Sequence, residues 1–164
     1  MLARQITTWL PGADVFCFSD IALPDISVIP LEHAWPGWWA KMSLFSPVAR
    51  GDFLYLDLDS VVRGPLDDIA AVRRLTLLRD FYRDGARRPE GLQSAVMYLP
   101  EADRREVWDT WIRNPARWMA EYAAGGDQAF LERFWLARAG RTSLGTRSCR
   151  TKSTASTACP KGRA

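Results

Sequence analysis

Residues 51–68 read GDFLYLDLDSVVRGPLDD, and the fold class turns on how this stretch is understood. Phe53–Leu56 is a continuous apolar run of the kind expected for a strand at the centre of a sheet. It leads straight into Asp57 and Asp59, two carboxylates that repel each other and are costly to desolvate. Either both face water as turn residues, or something positive sits between them. Pro65 then opens a short helix whose first turn holds Asp67 and Asp68, where the helix dipole favours acidic side chains.

Working outward, DVFCF (14–18) reads as a short buried strand and ISVIP (26–30) as a second, closed by Pro30. Pro36-Gly37 punctuates the chain before WWAKMSLF, a helical stretch that stops at Pro47. LTLLRD (75–80) and SAVMYL (94–99) are two further strands. Beyond residue 100 the apolar period changes. EADRREVWDTWIRN (101–114), PARWMAEYAA (115–124) and GDQAFLERFWLARA (126–139) read as amphipathic helices, the last started by Asp127. Strands alternating with helices, then a helical section, predict an α/β fold with a largely parallel sheet.

The 164 residues amount to one domain, and 48% hydrophobic content with eight tryptophans excludes wholesale disorder. No apolar run approaches the roughly 18 residues needed to span a bilayer. The opening MLARQITTWLPGADVF lacks a continuous apolar stretch and a small-residue cleavage site, so no signal peptide is expected. Cys17, Cys149 and Cys159 have no metal spacing, and their odd number argues against a disulfide framework, so a reducing cytoplasm is the expected location. The formal net charge of +3 is misleading, because residues 140–164 carry six Lys/Arg and no acid, leaving 16 basic against 19 acidic residues in 1–139. The basic balance belongs to the tail, and the basic face of a nucleic-acid binder is missing from the domain. From Gly140 the composition falls to Ser, Thr, Gly, Arg and Ala, which predicts a domain over 1–139 and a disordered basic tail over 140–164.

Along an extended strand, residues two apart point the same way, so Asp57 and Asp59 are expected to project together from the end of FLYL. In open α/β sheets that end binds ligands. Two carboxylates converging there suit Mg²⁺ or Mn²⁺, which take oxygen ligands and leave positions for phosphate oxygens. The alternative is a pair of solvated residues in the turn before Ser60.

FLYLDLDSVV with its following short helix resembles the Asp-x-Asp region of the GT-A glycosyltransferases, in particular the family-8-like nucleotide-diphospho-sugar transferases of bacteria. GWWAKMSLFSP (37–47) is similar to the helix just upstream of that motif. GLQSAVMYLP (91–100) is similar to the family's Asn-Ser-Gly-Val-Met strand, with Gln93 and Ala95 replacing Asn and Gly. GGDQAFL (125–131) is similar to its Asp-Gln helix start. The resemblance covers about residues 14–137 and implies a Rossmann-like sheet flanked by helices. It further implies that Asp57 and Asp59 bind a metal gripping the diphosphate of a nucleotide-sugar donor, with Lys41 near those phosphates. Gln93 and Ser94 would line the sugar or acceptor side, and Asp127 and Gln128 would face the transferring sugar. The reaction implied is transfer of a hexose to an acceptor hydroxyl of a glycan, lipid or protein.

Each of these residues has a plainer reading. Lys41 can be a helix-surface lysine with its stem buried, and Asp127-Gln128 an N-cap followed by a good helix former. His33 is expected to be structural, Trp108, Trp111 and Trp118 to be core, and the arginines at 73, 74, 87, 88, 104 and 105 to lie on solvated faces. Trp38 and Trp39 are adjacent and cannot both face one core.

Both ends depart from the family, whose first strand and helix should precede residue 1 and whose His-Gly…Lys-Pro segment has no counterpart. Reading SCRTKSTASTACPKGRA (148–164) one nucleotide upstream permits the strand-like string VVSYKVDC, so residues from about 140 are expected to be a frameshifted read-through of an incomplete transferase, active or inactive as this fragment. Two other functions compete: a non-catalytic binding or remnant domain of the same fold, and a haloacid-dehalogenase-like phosphatase with Asp57 as nucleophile.

Overall fold

The computed structural model describes residues 2–79 and 91–139. Asp80, Arg87, Arg88, Cys149, Cys159 and the whole tail from Gly140, with the frameshift reading of it, lie outside the described residues. The elements in chain order are α1 (Leu2–Trp9), β1 (Phe16–Ser19), β2 (Ser27–Pro30), a 3₁₀ helix (Gly37–Phe45), β3 (Phe53–Leu56), α2 (Asp67–Ala70), β4 (Thr76–Arg79), β5 (Leu92–Leu99), α3 (Glu101–Trp111), α4 (Pro115–Glu121) and α5 (Gly126–Ala139). The fold is mixed α/β, and each strand and helix read from the sequence within the described residues has its counterpart. Helix α1 was not anticipated. It docks by tertiary bonds: Leu66 N donates to Trp9 O (3.3 Å) and Val62 N to Gln5 Oε1 (3.2 Å).

The strand pairing differs from the sequence expectation. Among the described residues β1 and β2 pair in parallel, but β3 and β4 both pair antiparallel with β5, in the order β3-β5-β4. The centre of that sheet is β5 and not FLYL, which lies at its edge. An apolar run shows that a strand is covered on both faces but not by what; β3 gains its cover from neighbouring side chains, such as the ring of Phe16, 5.5 Å from that of Phe53. Antiparallel pairing of Leu56 with Val96 puts the end of β3 beside the start of β5, so the chain just after β3 meets residues 94–95. On the other side of β5 the β4 ladder is broken by an irregularity between Leu77 and Leu78, whose partners jump from Met97 to Gln93. Such breaks re-aim side chains and occur next to functional sites.

The core is built from the 3₁₀ helix, β5, α3 and α5. Trp111 is fully buried, stacked on Trp39 (5.3 Å between ring centroids, 20° between planes) and edge-on to Phe130 (5.3 Å). Trp108 and Trp118 pack against this cluster, and His33 stacks on Trp35 at 4.4 Å, so these residues are structural as expected. In the 3₁₀ helix side chains three apart eclipse one another. Trp39, Met42 and Phe45 therefore form one buried stripe, while Trp38, Lys41 and Leu44 fall on a second face. Trp38 is 59% exposed and Trp39 only 5%, which settles which of the adjacent pair serves the core.

One arginine contradicts the expectation of solvated faces. Arg104 is 2% exposed and donates to three backbone carbonyls, of Leu44 (3.3 Å), Ala49 (2.8 Å) and Gly51 (2.5 Å), with its guanidinium 4.4 Å from the Phe53 ring centre. The reason is geometric. The chain between the 3₁₀ helix and β3 leaves carbonyls pointing inward, and a guanidinium on α3 is the donor that can satisfy several at once. Asp52 fastens the same loop by accepting from Glu101 N (3.0 Å), and Gly51 N donates to Glu101 Oε2 (2.6 Å). The loop that delivers β3 is thereby tied to α3.

Candidate functional site

Strand β3 ends at Leu56, and the ladder extends one bond further: Asp57 N donates to Ala95 O at 2.8 Å. The chain then turns, with Ser60 N donating to Asp57 O at 2.9 Å. Asp57 is held by the sheet and Asp59 by the turn. The expectation that the two carboxylates project together assumed extended chain through residue 59, and the turn removes that premise. Asp57 is half-buried, whereas Asp59 is exposed beside Leu58.

The positive group beside Asp57 is Lys41, which lies between Asp57 and Asp127 and not between Asp57 and Asp59. From the second face of the 3₁₀ helix its Nζ lies 2.9 Å from Asp57 Oδ1 and 3.4 Å from Asp127 Oδ2, and it donates to Asp57 Oδ2 (3.1 Å) and Ser94 Oγ (3.2 Å). Ser94 Oγ donates in turn to Asp127 Oδ2 at 3.3 Å. Asp127 is buried in the first turn of α5, pointing at this cluster instead of capping the helix. Ser94 comes from β5 opposite the broken β4 ladder. The side chains of Asp57, Ser94 and Asp127, from three separate parts of the chain, thus meet around one ammonium.

Tyr55 completes the group. Residues 55 and 57 share a face, and the Tyr55 hydroxyl donates to Asp57 Oδ1 while Lys41 Nζ lies 5.6 Å from the ring centre. Burial, the bond to Asp57 and the negative charges of Asp57, Asp127 and Asp59 push the Tyr55 hydroxyl far above its ordinary pKa, so it stays protonated and remains a donor. Burial also raises the Asp127 carboxyl above its ordinary value, against the opposing pull of Lys41 and of the Ser94 hydrogen bond.

The remaining candidates are not brought in. Gln93 precedes Ser94 in a strand and faces the opposite way; its Oε1 is shielded from solvent and has no hydrogen-bond partner among the described residues. Gln128 is half-buried, turned about 100° around α5 from Asp127. No group of three or more His, Cys, Asp or Glu side chains suited to a metal occurs among the described residues. Tyr55 was legible from its spacing to Asp57, but Trp38, which rests on the residue before Asp127, was not.

Comparison with protein-family models, with curated proteins and with solved structures finds no match to this chain. No helix among the described residues is long and apolar enough to cross a membrane.

Proposed function

We propose that this domain is a metal-dependent glycosyltransferase of the GT-A type, moving a hexose from a nucleotide-diphosphate sugar to an acceptor hydroxyl. The observation that carries this reading is the convergence of Lys41, Asp57, Ser94 and Asp127 on one point at the end of β3. The resemblance put Lys41 and Asp57 at the donor diphosphate, Ser94 on the sugar or acceptor side and Asp127 facing the transferring sugar, and nothing in their spacing obliges residues so far apart in sequence to meet.

The donor atoms suit the metal that this reading requires, although the turn after Asp57 does not oblige the two carboxylates to converge. Asp57 and Asp59 offer only oxygen donors; Asp59 is open to solvent and Asp57 partly so, which is the donor type and access of a hard divalent cation. Asp57 and Asp59 would hold such an ion through their carboxylate oxygens, and when bound it would supply positive charge to the diphosphate leaving group. The chain's own residues do the rest. Lys41 shares its charge between two carboxylates and can redirect a donor to a phosphate or sugar oxygen. Tyr55 holds Asp57 in place, and Asp127 presents a dry carboxylate to a sugar hydroxyl. On this reading the β5 contact to the ligand falls to Ser94, and Gln93 and Gln128 stay outside the cluster.

Calorimetric titration with nucleoside-diphosphate hexoses, with and without Mn²⁺, tests the proposal. Binding that needs Mn²⁺ and is lost in Asp57→Asn and Asp59→Asn is expected, together with release of nucleoside diphosphate on turnover. Binding without turnover selects the non-catalytic domain, and phosphatase activity abolished by Asp57→Asn selects the phosphatase. Failure to bind any of the hexoses removes the transferase reading.

A further inference from the structure

Trp38 has an unusual position for a large apolar side chain. It is 59% exposed, yet it is not loose. Gly126 has φ +63°, and a Cβ built on it would lie 2.6 Å from Trp38 Nε1, 2.8 Å from Cδ1 and 2.9 Å from Cε2. The five-membered ring of the indole therefore rests on the Gly126 backbone, where any larger residue would lift it. Gly126 is buried and directly precedes Asp127. Independently, Trp38 and Lys41 are three apart in the 3₁₀ helix and share its second face. Two separate features of the fold thus set a fixed, solvent-facing aromatic ring beside the Lys41–Asp57–Asp127 cluster.

The chemistry of that combination is specific. A pyranose ring presents an apolar face of C–H bonds and an edge of hydroxyls that both donate and accept. An indole seated flat on backbone covers the apolar face at small entropic cost, since it is already held. Carboxylates at Asp57 and Asp127 accept from hydroxyls, and the Lys41 ammonium and Ser94 hydroxyl donate to them.

We propose that Trp38 is the stacking platform for a pyranose ring whose hydroxyls are read by Lys41, Asp57 and Asp127. This rests on the transferase reading for the role of the cluster, and it adds a residue and a ligand class to that site.

The test is saturation-transfer NMR on the full chain with methyl glucopyranoside, galactopyranoside, mannopyranoside and N-acetylglucosaminide, alongside the ¹⁵N-indole spectrum. At least one of these probes should shift the Trp38 Nε1–H resonance, assigned by its loss in Trp38→Phe. Trp38→Ala should weaken that saccharide's binding at least about fivefold, as removal of a stacking ring does, while Trp38→Phe keeps most of it. If no probe contacts Trp38, or Trp38→Ala binds as tightly as the wild type, the proposal is overturned. Competition by a nucleoside-diphosphate hexose would identify the stacked ring as the donor's; contact that persists in its presence would identify the acceptor's. Mn²⁺-dependent nucleotide-sugar binding with no contact at Trp38 overturns this inference alone. Saccharide contact at Trp38 without any such nucleotide-sugar binding upholds it and removes the transferase reading.

Discussion

Replacing Lys41 by Met keeps the length of the side chain and removes the charge at the centre of the cluster. Two carboxylates lie 2.9 and 3.4 Å from its Nζ. At an effective dielectric of about 20, a unit pair at 4 Å is worth about 4 kcal/mol, much of it offset by the cost of desolvating the charges. Removing one partner of a buried pair costs about 3–5 kcal/mol, because the other is left uncompensated. Asp57 has a quarter of its side chain exposed and can recover some solvation, whereas Asp127, 7% exposed, cannot. The lower end applies, and Lys41→Met should lose about 3 kcal/mol at pH 7, equivalent to a Tm lowered by about 6–12 °C. Urea unfolding followed by circular dichroism measures this. Adding Asp127→Asn to Lys41→Met should restore part of the loss, since it removes the stranded charge, giving a coupling energy of about 1–3 kcal/mol. A Lys41→Met loss below about 0.5 kcal/mol, or strictly additive effects in the double variant, would refute the claim that the ammonium holds the site together.

The remaining predictions concern its neighbours. The native state binds the Asp127 proton more tightly than the unfolded chain does. The associated stability is fully present below the ordinary value of 3.8 and is lost as pH rises through the raised folded pKa. The stability of the wild type relative to Asp127→Asn should therefore decline from about pH 4 toward neutrality, and a flat difference in unfolding free energy across that range would contradict the burial argument. Arg104→Met leaves the carbonyls of Leu44, Ala49 and Gly51 without their donor and should cost at least about 3 kcal/mol, with faster hydrogen exchange at the amides around residue 51; a loss under about 1 kcal/mol would show that the clamp is dispensable. Gly126→Ala places a Cβ 2.6 Å from Trp38 Nε1 at φ +63° and should cost about 1–3 kcal/mol while moving the Trp38 indole resonance; an unchanged indole signal would mean that the ring does not rest there.

Much of the fold was legible because the deciding information is local. The apolar runs FCF, FLYL and the stretch through VMYL are strands in both readings, and Pro36, Pro47, Pro65 and Pro100 punctuate the chain where the elements change. Asp127 was correctly set at the start of the last helix, because helix periodicity and punctuation reveal where a helix begins. The side chains of the cluster were also nameable in advance, and Tyr55 could have joined them from the period-two spacing to Asp57.

What sequence could not decide is which element each face meets. Arg104 and Arg105 are adjacent and chemically identical, yet Arg104 is buried and Arg105 exposed, because only position 104 faces the carbonyls of the loop before β3. Which of Trp38 and Trp39 serves the core was decided by the docking of the 3₁₀ helix, whose buried stripe is Trp39, Met42 and Phe45. Asp59 was parted from Asp57 by a turn whose closing bond is backbone to backbone. Antiparallel pairing brought Ser94 to the end of β3, and the docking of α5 brought Asp127. Local pattern determined the elements and the chemical groups they carry. Burial, pairing direction and the meeting of Lys41 with its carboxylates were decided only by tertiary structure, since they depend on energies between residues far apart in the chain.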